Sequence, residues 1–440
     1  MKTLESAPTR SDLRPTRVRW QVMVLLTGVT MLTYLDRLNL SIAGRDIQSE
    51  YAFDNQTMGW IFSAFLLGYA LFQIPGGWAG DRYGPRRVLT LTIFCWSLLT
   101  ATTALAPSLP LSAWFGVAWS FAMVRFLIGA GEAAALPNAN RIVSNWMGSA
   151  HRGRGSSFAV TGIGAGGALT PPLIAWTMQR WGWRSSFYIC GLIGMAFAVV
   201  WRLFVTNGPE EHPRINRAEL DLIRAGRSTD PAALPTVRRP TPWRTLLSSP
   251  SVWGLILGYF CQGYPIYFFH TWFFIYLVKD RGFTLTQGGW WGSTPYVAMA
   301  LLTPLGGWFS DVAVSRIGKR RGRQVAVWLG MGGSAALIGI GSHSASPHQA
   351  VLLLALGGGF NLFAATSFWA TCIDLTETHT GSLSGLMNTF GNLGGWLSPI
   401  LTAYLATRFG WNWALDCAAL VTLVSGLLWL LVDAETPVDV

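Results

Sequence analysis

The chain has 440 residues, 51% of them hydrophobic and 12% charged, with 23 Trp and a mean hydropathy of +0.36, a composition that excludes an ordinary soluble domain. A net charge of +11 and a pI near 9.8 would suit nucleic acid only if the basic residues formed a tract, and they are spread over alternate loops instead. Runs of about 20 apolar residues recur along the whole chain while strand-type alternation is absent, so the expected fold class is an all-α membrane protein.

Residues 1–19 form an N-terminal segment without the apolar h-region of a cleavable signal peptide, so the first span is read as its own insertion signal. Six spans are predicted at 20–43, 57–80, 88–106, 113–142, 156–178 and 185–206, making an N-terminal half over 20–206. Residues 207–250 are polar and rich in Pro and Arg and read as a linker. Within it, Asn216-Arg217-Ala218-Glu219 has the spacing of a capping box, with Leu220, Leu222 and Ile223 following and Gly226 as a stop, which predicts a short surface helix. Six more spans, at 251–278, 289–311, 324–342, 349–373, 382–406 and 412–432, make a C-terminal half over 251–432, and 433–440 is a tail.

Basic residues concentrate before the first span (Lys2, Arg10, Arg14, Arg17, Arg19) and after the second (Arg82, Arg86, Arg87), fourth (Arg152, Arg154) and eighth (Arg316, Lys319, Arg320, Arg321, Arg323). The intervening loops hold few. This asymmetry places both termini in the cytoplasm of a multi-pass plasma-membrane protein, with a bacterial inner membrane as the expected site. Cys95, Cys190, Cys261, Cys372 and Cys417 stand singly without metal or redox spacing and read as packing residues; no metal and no cofactor is expected. The sequon Asn55-Gln56-Thr57 hugs the second span and carries no functional reading.

The halves repeat one another. Gly76-Gly77-Trp78-x-x-Asp81 with Arg86 recurs as Gly306-Gly307-Trp308-x-x-Asp311 with Arg316, and Gly166, Gly167, Leu169, Pro171, Ala175, Arg180, Gly182 and Trp183 recur as Gly394, Gly395, Leu397, Pro399, Ala403, Arg408, Gly410 and Trp411. Two blocks at nearly one offset indicate duplication of a six-helix unit.

Four charges interrupt the spans: Asp36 and Arg37 in the first, Arg125 and Glu132 in the fourth. Insertion scales put each Asp, Lys or Arg at a helix centre at about 2.5 to 3.5 kcal/mol, so the four must face each other, water or a ligand. The Arg37 guanidinium is a permanent planar fork suited to a carboxylate. Arg125 and Glu132 are seven residues apart, within about 20° of two full turns, and therefore share a face. Gly129 and Gly131 between them suggest close approach of helix four to helix one. A buried carboxyl beside an arginine can carry a proton in exchange for a substrate anion, which makes Glu132 the first proton-coupling candidate; a permanent structural salt bridge is the alternative. Asp81, Arg82, Arg86 and Asp311, at helix ends beside arginine-bearing loops, suit a latch made in one conformation and broken in another. Arg125 of the fourth span, Tyr264 and Tyr267 of the aromatic seventh, and Asn388 and Asn392 one turn apart in the eleventh, are candidate substrate contacts alongside Arg37; His270 reads as packing.

The segment Gly76 to Arg87 resembles the loop between the second and third helices of the major facilitator superfamily, and Gly162-Ile163-Gly164-Ala165-Gly166-Gly167 with Pro171 resembles its glycine-rich fifth helix. Tyr34-Leu35-Asp36-Arg37-Leu38-Asn39-Leu40-Ser41, Ser63-Ala64-Phe65 running into Gln73-Ile74-Pro75-Gly76-Gly77-Trp78, and Gly129-x-x-Glu132 leading to Pro137 and Asn138 resemble the anion:cation symporter family within it. That resemblance implies twelve transmembrane helices in two pseudo-symmetric halves, a monomer, an anion-binding role for Arg37, and Asp36 as a second proton site. It also implies symport with protons of a small organic anion such as a hexuronate, aldonate or aldarate. Ile163 departs from the resemblance, since some sugar-acid permeases are polar there. Rival readings are an exchanger or uniporter of the same fold and a transport-inactive membrane sensor. An enzyme is not expected: the chain has no Walker A sequence, no H-E-x-x-H and no soluble segment large enough for a catalytic core.

Overall fold

A computed structural model describes residues 14–147, 152–225, 243–376 and 380–438, with the side chains at 81, 152–154, 156, 157, 160, 225 and 380–382 outside the described set. Helix occupies each expected span. In chain order these are α1 (Val18–Tyr51), α2 (Asn55–Tyr83), α3 (Pro85–Thr103), α4 (Val117–Glu132 and Ala135–Trp146), α5 (Arg152–Trp181) and α6 (Trp183–Phe204), then α7 (Pro250–Thr271 and Phe273–Lys279), α8 (Leu285–Gly292 and Thr294–Ile317), α9 (Lys319–Ser342), α10 (Pro347–Leu375), α11 (Thr380–Phe409) and α12 (Trp411–Leu428). Among the described residues, eight helical stretches are by themselves long and apolar enough to cross a membrane. The chain is a multi-pass membrane protein.

The spans turn on single glycines at matching places in the two halves. Gly84 joins α2 to α3 at φ +86° and Gly318 joins α8 to α9 at +83°, while Gly182 and Gly410 join α5 to α6 and α11 to α12 at +78° and +93°. Only a residue without a Cβ takes such angles freely, and the same turn is used at each step of the repeat. Helix pairing repeats as well. In the first half α1 lies on α5, α2 on α4 and α3 on α6; in the second α7 lies on α11, α8 on α10 and α9 on α12. Gly166 of α5 abuts the Met31 carbonyl of α1 and Gly394 of α11 abuts that of Phe260 in α7, while Gly76 meets Ala134 as Gly306 meets Phe363. Both the Met31/Phe260 and the Ala134/Phe363 correspondences set an offset of 229 residues for the helices that carry the intramembrane charges.

The halves meet where α2 lies on α11 and α5 on α8. Hydrogen bonds join them at the end of the bundle away from the linker: Lys279 Nζ donates to Gln48 Oε1 (2.7 Å), Asn55 Nδ2 to Thr407 Oγ1 (3.2 Å) and Thr286 Oγ1 to Gln179 Oε1 (3.0 Å). Nearer the middle, Ser63 donates to the Trp396 carbonyl (2.8 Å) and Ser293 to that of Ala168 (2.6 Å). Asn55, the sequon residue, is thus committed to the contact between halves.

At the linker end, the expected surface helix is present at Arg217–Ala225. Asn216 caps it, its Oδ1 accepting from Glu219 N (3.0 Å). The other arm of the expected capping box goes elsewhere: the Glu219 carboxylate, fully buried, accepts from Val18 N (3.1 Å), Arg19 N (3.3 Å) and the Thr16 hydroxyl (2.6 Å). The free N–H groups of the first turn of α1 compete better for that carboxylate than the single N–H of Asn216. Gly226 lies outside the described residues.

Candidate functional site

Pro137 has no N–H to give the carbonyl of Ala133, so α4 loosens at Ala133–Ala134 and resumes at Ala135. Glu132 is the last residue before this break. Its carboxylate is fully buried and pairs with Arg37 of α1, Arg37 Nε donating to Oε2 at 2.8 Å. The second oxygen, Oε1, has no hydrogen-bond partner among the described residues.

The Arg37 guanidinium is caged by aromatic faces, its centre 4.8 Å from the Tyr69 ring, 5.1 Å from Phe65 and 5.6 Å from Tyr34. Such contacts contribute up to about 2 kcal/mol each when water is excluded. Arg125 lies over Phe65 too, at 4.7 Å. It is 4% exposed and donates to the Asp36 carbonyl at 3.4 Å. Asp36 itself is buried, and its Oδ1 lacks a partner among the described residues. Glu132 therefore pairs with Arg37, although Arg125 is the arginine that shares its helix face.

The expected approach of α4 to α1 through Gly129 and Gly131 is corrected. Gly129 sits against the Phe65 carbonyl of α2 and Gly131 against Trp96 of α3, so the glycines pack α4 onto α2 and α3. Arg37 spans to Glu132 by side-chain length alone.

From the second half, Tyr267 donates to Asn392 Oδ1 (3.3 Å) and the Asn388 amide reaches Gln73 Oε1 (3.4 Å), which brings α7, α11 and α2 together at mid-depth. Tyr264 is 1% exposed and its hydroxyl meets Thr402 (3.3 Å) in the packing of α7 on α11. His270 stands between Tyr34 of α1 (3.4 Å to Nε2) and Tyr296 of α8 (3.3 Å to Nδ1). Tyr34, Phe65 and Tyr69 surround the Arg37 guanidinium and were not among the candidate residues. Only Tyr34 carried a usable signal, one turn before Arg37 on the same face.

Of the gating candidates, Asp81 belongs to α2 but its side chain lies outside the described residues. Arg82 lies against Trp78 and Tyr83. Arg86 donates to the Arg202 carbonyl at the end of α6 (2.7 Å). Asp311 pairs with Arg323 of α9 at 3.0 Å, and Arg323 also holds Asp374 of α10 at 3.1 Å. The carboxylate of the second motif thus finds its arginine on the next helix, while Arg316, its counterpart by spacing, is not the partner.

The sequence matches the Major Facilitator Superfamily over residues 26–399 and 278–439. It is 32% identical over 408 residues to a probable galactarate/D-glucarate transporter of Bacillus subtilis, covering 90% of this chain and 88% of that one. To a probable sulfoacetate transporter of Cupriavidus necator it is 30% identical over 397 residues, covering 90% and 89%. Among solved structures, a bacterial homolog of the human lysosomal transporter Spinster superposes with a TM-score of 0.77 at 16% identity, covering 94% of this chain and 97% of that one. A D-xylose-proton symporter superposes at 0.71 and 16%, covering 94% and 98%. These two show the fold alone. The chain belongs to the major facilitator superfamily, in the anion:cation symporter family that its first- and fourth-helix motifs resemble.

Proposed function

We propose that the chain transports small organic anions across the membrane by alternating access, together with protons. The names of its relatives, transporters of galactarate, D-glucarate and sulfoacetate, support an organic anion as cargo. The observation that carries the coupling is the buried Arg37 to Glu132 pair with Glu132 Oε1 unpartnered. Glu132 and a substrate carboxylate compete for one guanidinium. A proton on Glu132 removes its charge and frees Arg37 for the substrate, and a bound substrate in turn favours the proton, as linkage requires. Asp36, buried beside Arg125, is the second proton site in this reading, and Arg125 acts by holding Asp36. Tyr267, Asn388 and Asn392 face the uncharged part of the substrate, while Tyr264 supports α7. Asp81, Arg82, Arg86 and Asp311 govern the exchange between conformations. The linker end is cytoplasmic by its loop charges, transport runs inward, and the monomer is the working unit.

Proteoliposomes test the coupling. Glu132→Gln mimics the protonated form permanently, so it should lose uptake driven by an imposed pH gradient while keeping exchange of labelled for unlabelled anion. A variant that still concentrates substrate as wild type does would move the coupling to Asp36. Uptake by the wild type that ignores the pH gradient would favour the exchanger or uniporter, and binding without flux the sensor.

A further inference from the structure

The two halves share one helix frame but not its charges. At the offset of 229 set by the glycine contacts, Asp36, Arg37, Arg125 and Glu132 correspond to Pro265, Ile266, Leu354 and Asn361. The position of the Glu132 carboxylate is taken by an amide, which accepts from Gln262 Nε2 at 2.6 Å. None of the six C-terminal spans contains a Lys or Arg; the cations begin at their ends, with Lys279, Arg316, Arg323 and Arg408.

What the C-terminal half brings to the site is uncharged. Tyr267 and Asn392 bond each other, and the Asn388 amide reaches Gln73. Among the described residues, the one side chain there able to become a cation is His270, and neither of its partners is a carboxylate that would hold a second proton on the ring. Tyr296 donates its hydroxyl proton to the Phe269 carbonyl (3.1 Å), so its oxygen accepts from His270 Nδ1–H, and Nε2 meets the Tyr34 hydroxyl.

Among the described residues, the N-terminal half offers the site a single usable cation. Arg37 has the aromatic cage and an exchangeable partner in Glu132. Arg125 lies against Phe65, almost wholly buried and bonded to the Asp36 backbone. A second carboxylate on the substrate would lose its water and meet only amides and phenols, which leaves a desolvated charge without a counterion.

We infer that the transported anion carries one carboxylate, bound by Arg37, on an otherwise uncharged, hydroxyl-bearing skeleton: an aldonate or hexuronate rather than an aldarate. The inference rests on the reading of the chain as an anion transporter and narrows its substrate class.

D-Gluconate and D-glucarate differ only at C6, a hydroxymethyl in one and a carboxylate in the other, so they isolate the second charge. Titrated calorimetrically into the purified full-length protein at neutral pH, gluconate should bind at least about tenfold more tightly than glucarate. Asn392→Lys, which sets a cation on the C-terminal wall, should narrow that preference by about tenfold or reverse it. Glucarate binding as tightly as gluconate to the wild type overturns the single-carboxylate inference and leaves anion transport standing. No binding of gluconate, glucuronate, glucarate or sulfoacetate overturns both. Should Asn392→Lys not fold, the wild-type comparison decides alone.

Discussion

Arg37 is the residue on which the site turns, because its charge is fixed while those of its neighbours are exchangeable. Arg37→Ala should abolish anion binding with the fold intact, since the desolvated carboxylate would lose its partner at a cost of about 2 to 5 kcal/mol. Arg37→Lys keeps the charge but loses the planar fork and its fit among Tyr34, Phe65 and Tyr69, so binding should weaken by about tenfold or more rather than vanish. Isothermal titration on monodisperse detergent-solubilised protein checks both; Arg37→Ala binding within tenfold of wild type would move the anion elsewhere. The four charges were legible in the sequence because an ion inside an apolar span needs a reason. Their pairing was legible in part: helical periodicity put Arg125 and Glu132 on one face, and bringing helix four near helix one puts Glu132 beside Arg37, as observed. The route was not, because which helices touch depends on glycine contacts whose direction the sequence does not state.

At the scale of elements, the linker helix belongs structurally to α1. Glu219 supplies from 200 residues away the acceptors that the first turn of α1 lacks locally, with Arg19 near enough to pair at 3.6 Å. Glu219→Ala should lower stability by about 1 to 3 kcal/mol through the unmet N–H groups, and Glu219→Gln should lose less because one acceptor remains. Thermal unfolding in detergent orders the three proteins; equal midpoints for wild type and Glu219→Ala would show that water replaces the carboxylate at no cost. The capping box was legible as a helix start, but local spacing could not reveal that Glu219 had a stronger claimant. Asp54 caps α2 in the ordinary way, accepting from Thr57 N at 2.7 Å, and the Thr57 hydroxyl and N–H hold its carboxyl below the ordinary value of 3.8. A carboxyl shifted down stabilises the fold above its unfolded pKa and ceases to do so as pH falls through the folded one. Asp54→Ala should therefore cost about 1 kcal/mol near neutrality, and the gap from wild type should close below pH 3.8. A gap that persists unchanged in acid would deny the cap its charge.

At the scale of the whole molecule, hydropathy and the two repeated blocks made the frame legible, since spans, halves and glycine turns are written in local composition. The functional asymmetry was not written there, because duplication conserves packing glycines while leaving the charged positions free to differ. The frame also fixes what must move. Hydrogen bonds close the end away from the linker across α1 to α7, α2 to α11 and α5 to α8, and a substrate entering from that side must part them. Asn55 and Thr407 are bonded directly at 3.2 Å, so an Asn55→Cys/Thr407→Cys pair in a background without native cysteines should form a disulfide under oxidation. That bond would hold this end shut, stopping net transport in proteoliposomes, and reduction should restore it. Binding should survive in the oxidised protein, because the crosslink joins the ends of α2 and α11 and leaves the Arg37 to Glu132 pair untouched. Full transport by the crosslinked protein would mean that the halves need not part at α2 and α11, and that the path runs elsewhere. Loss of binding together with transport would mean that the anion reaches Arg37 only when this end is open, which would reverse the order of steps without changing the residues that perform them.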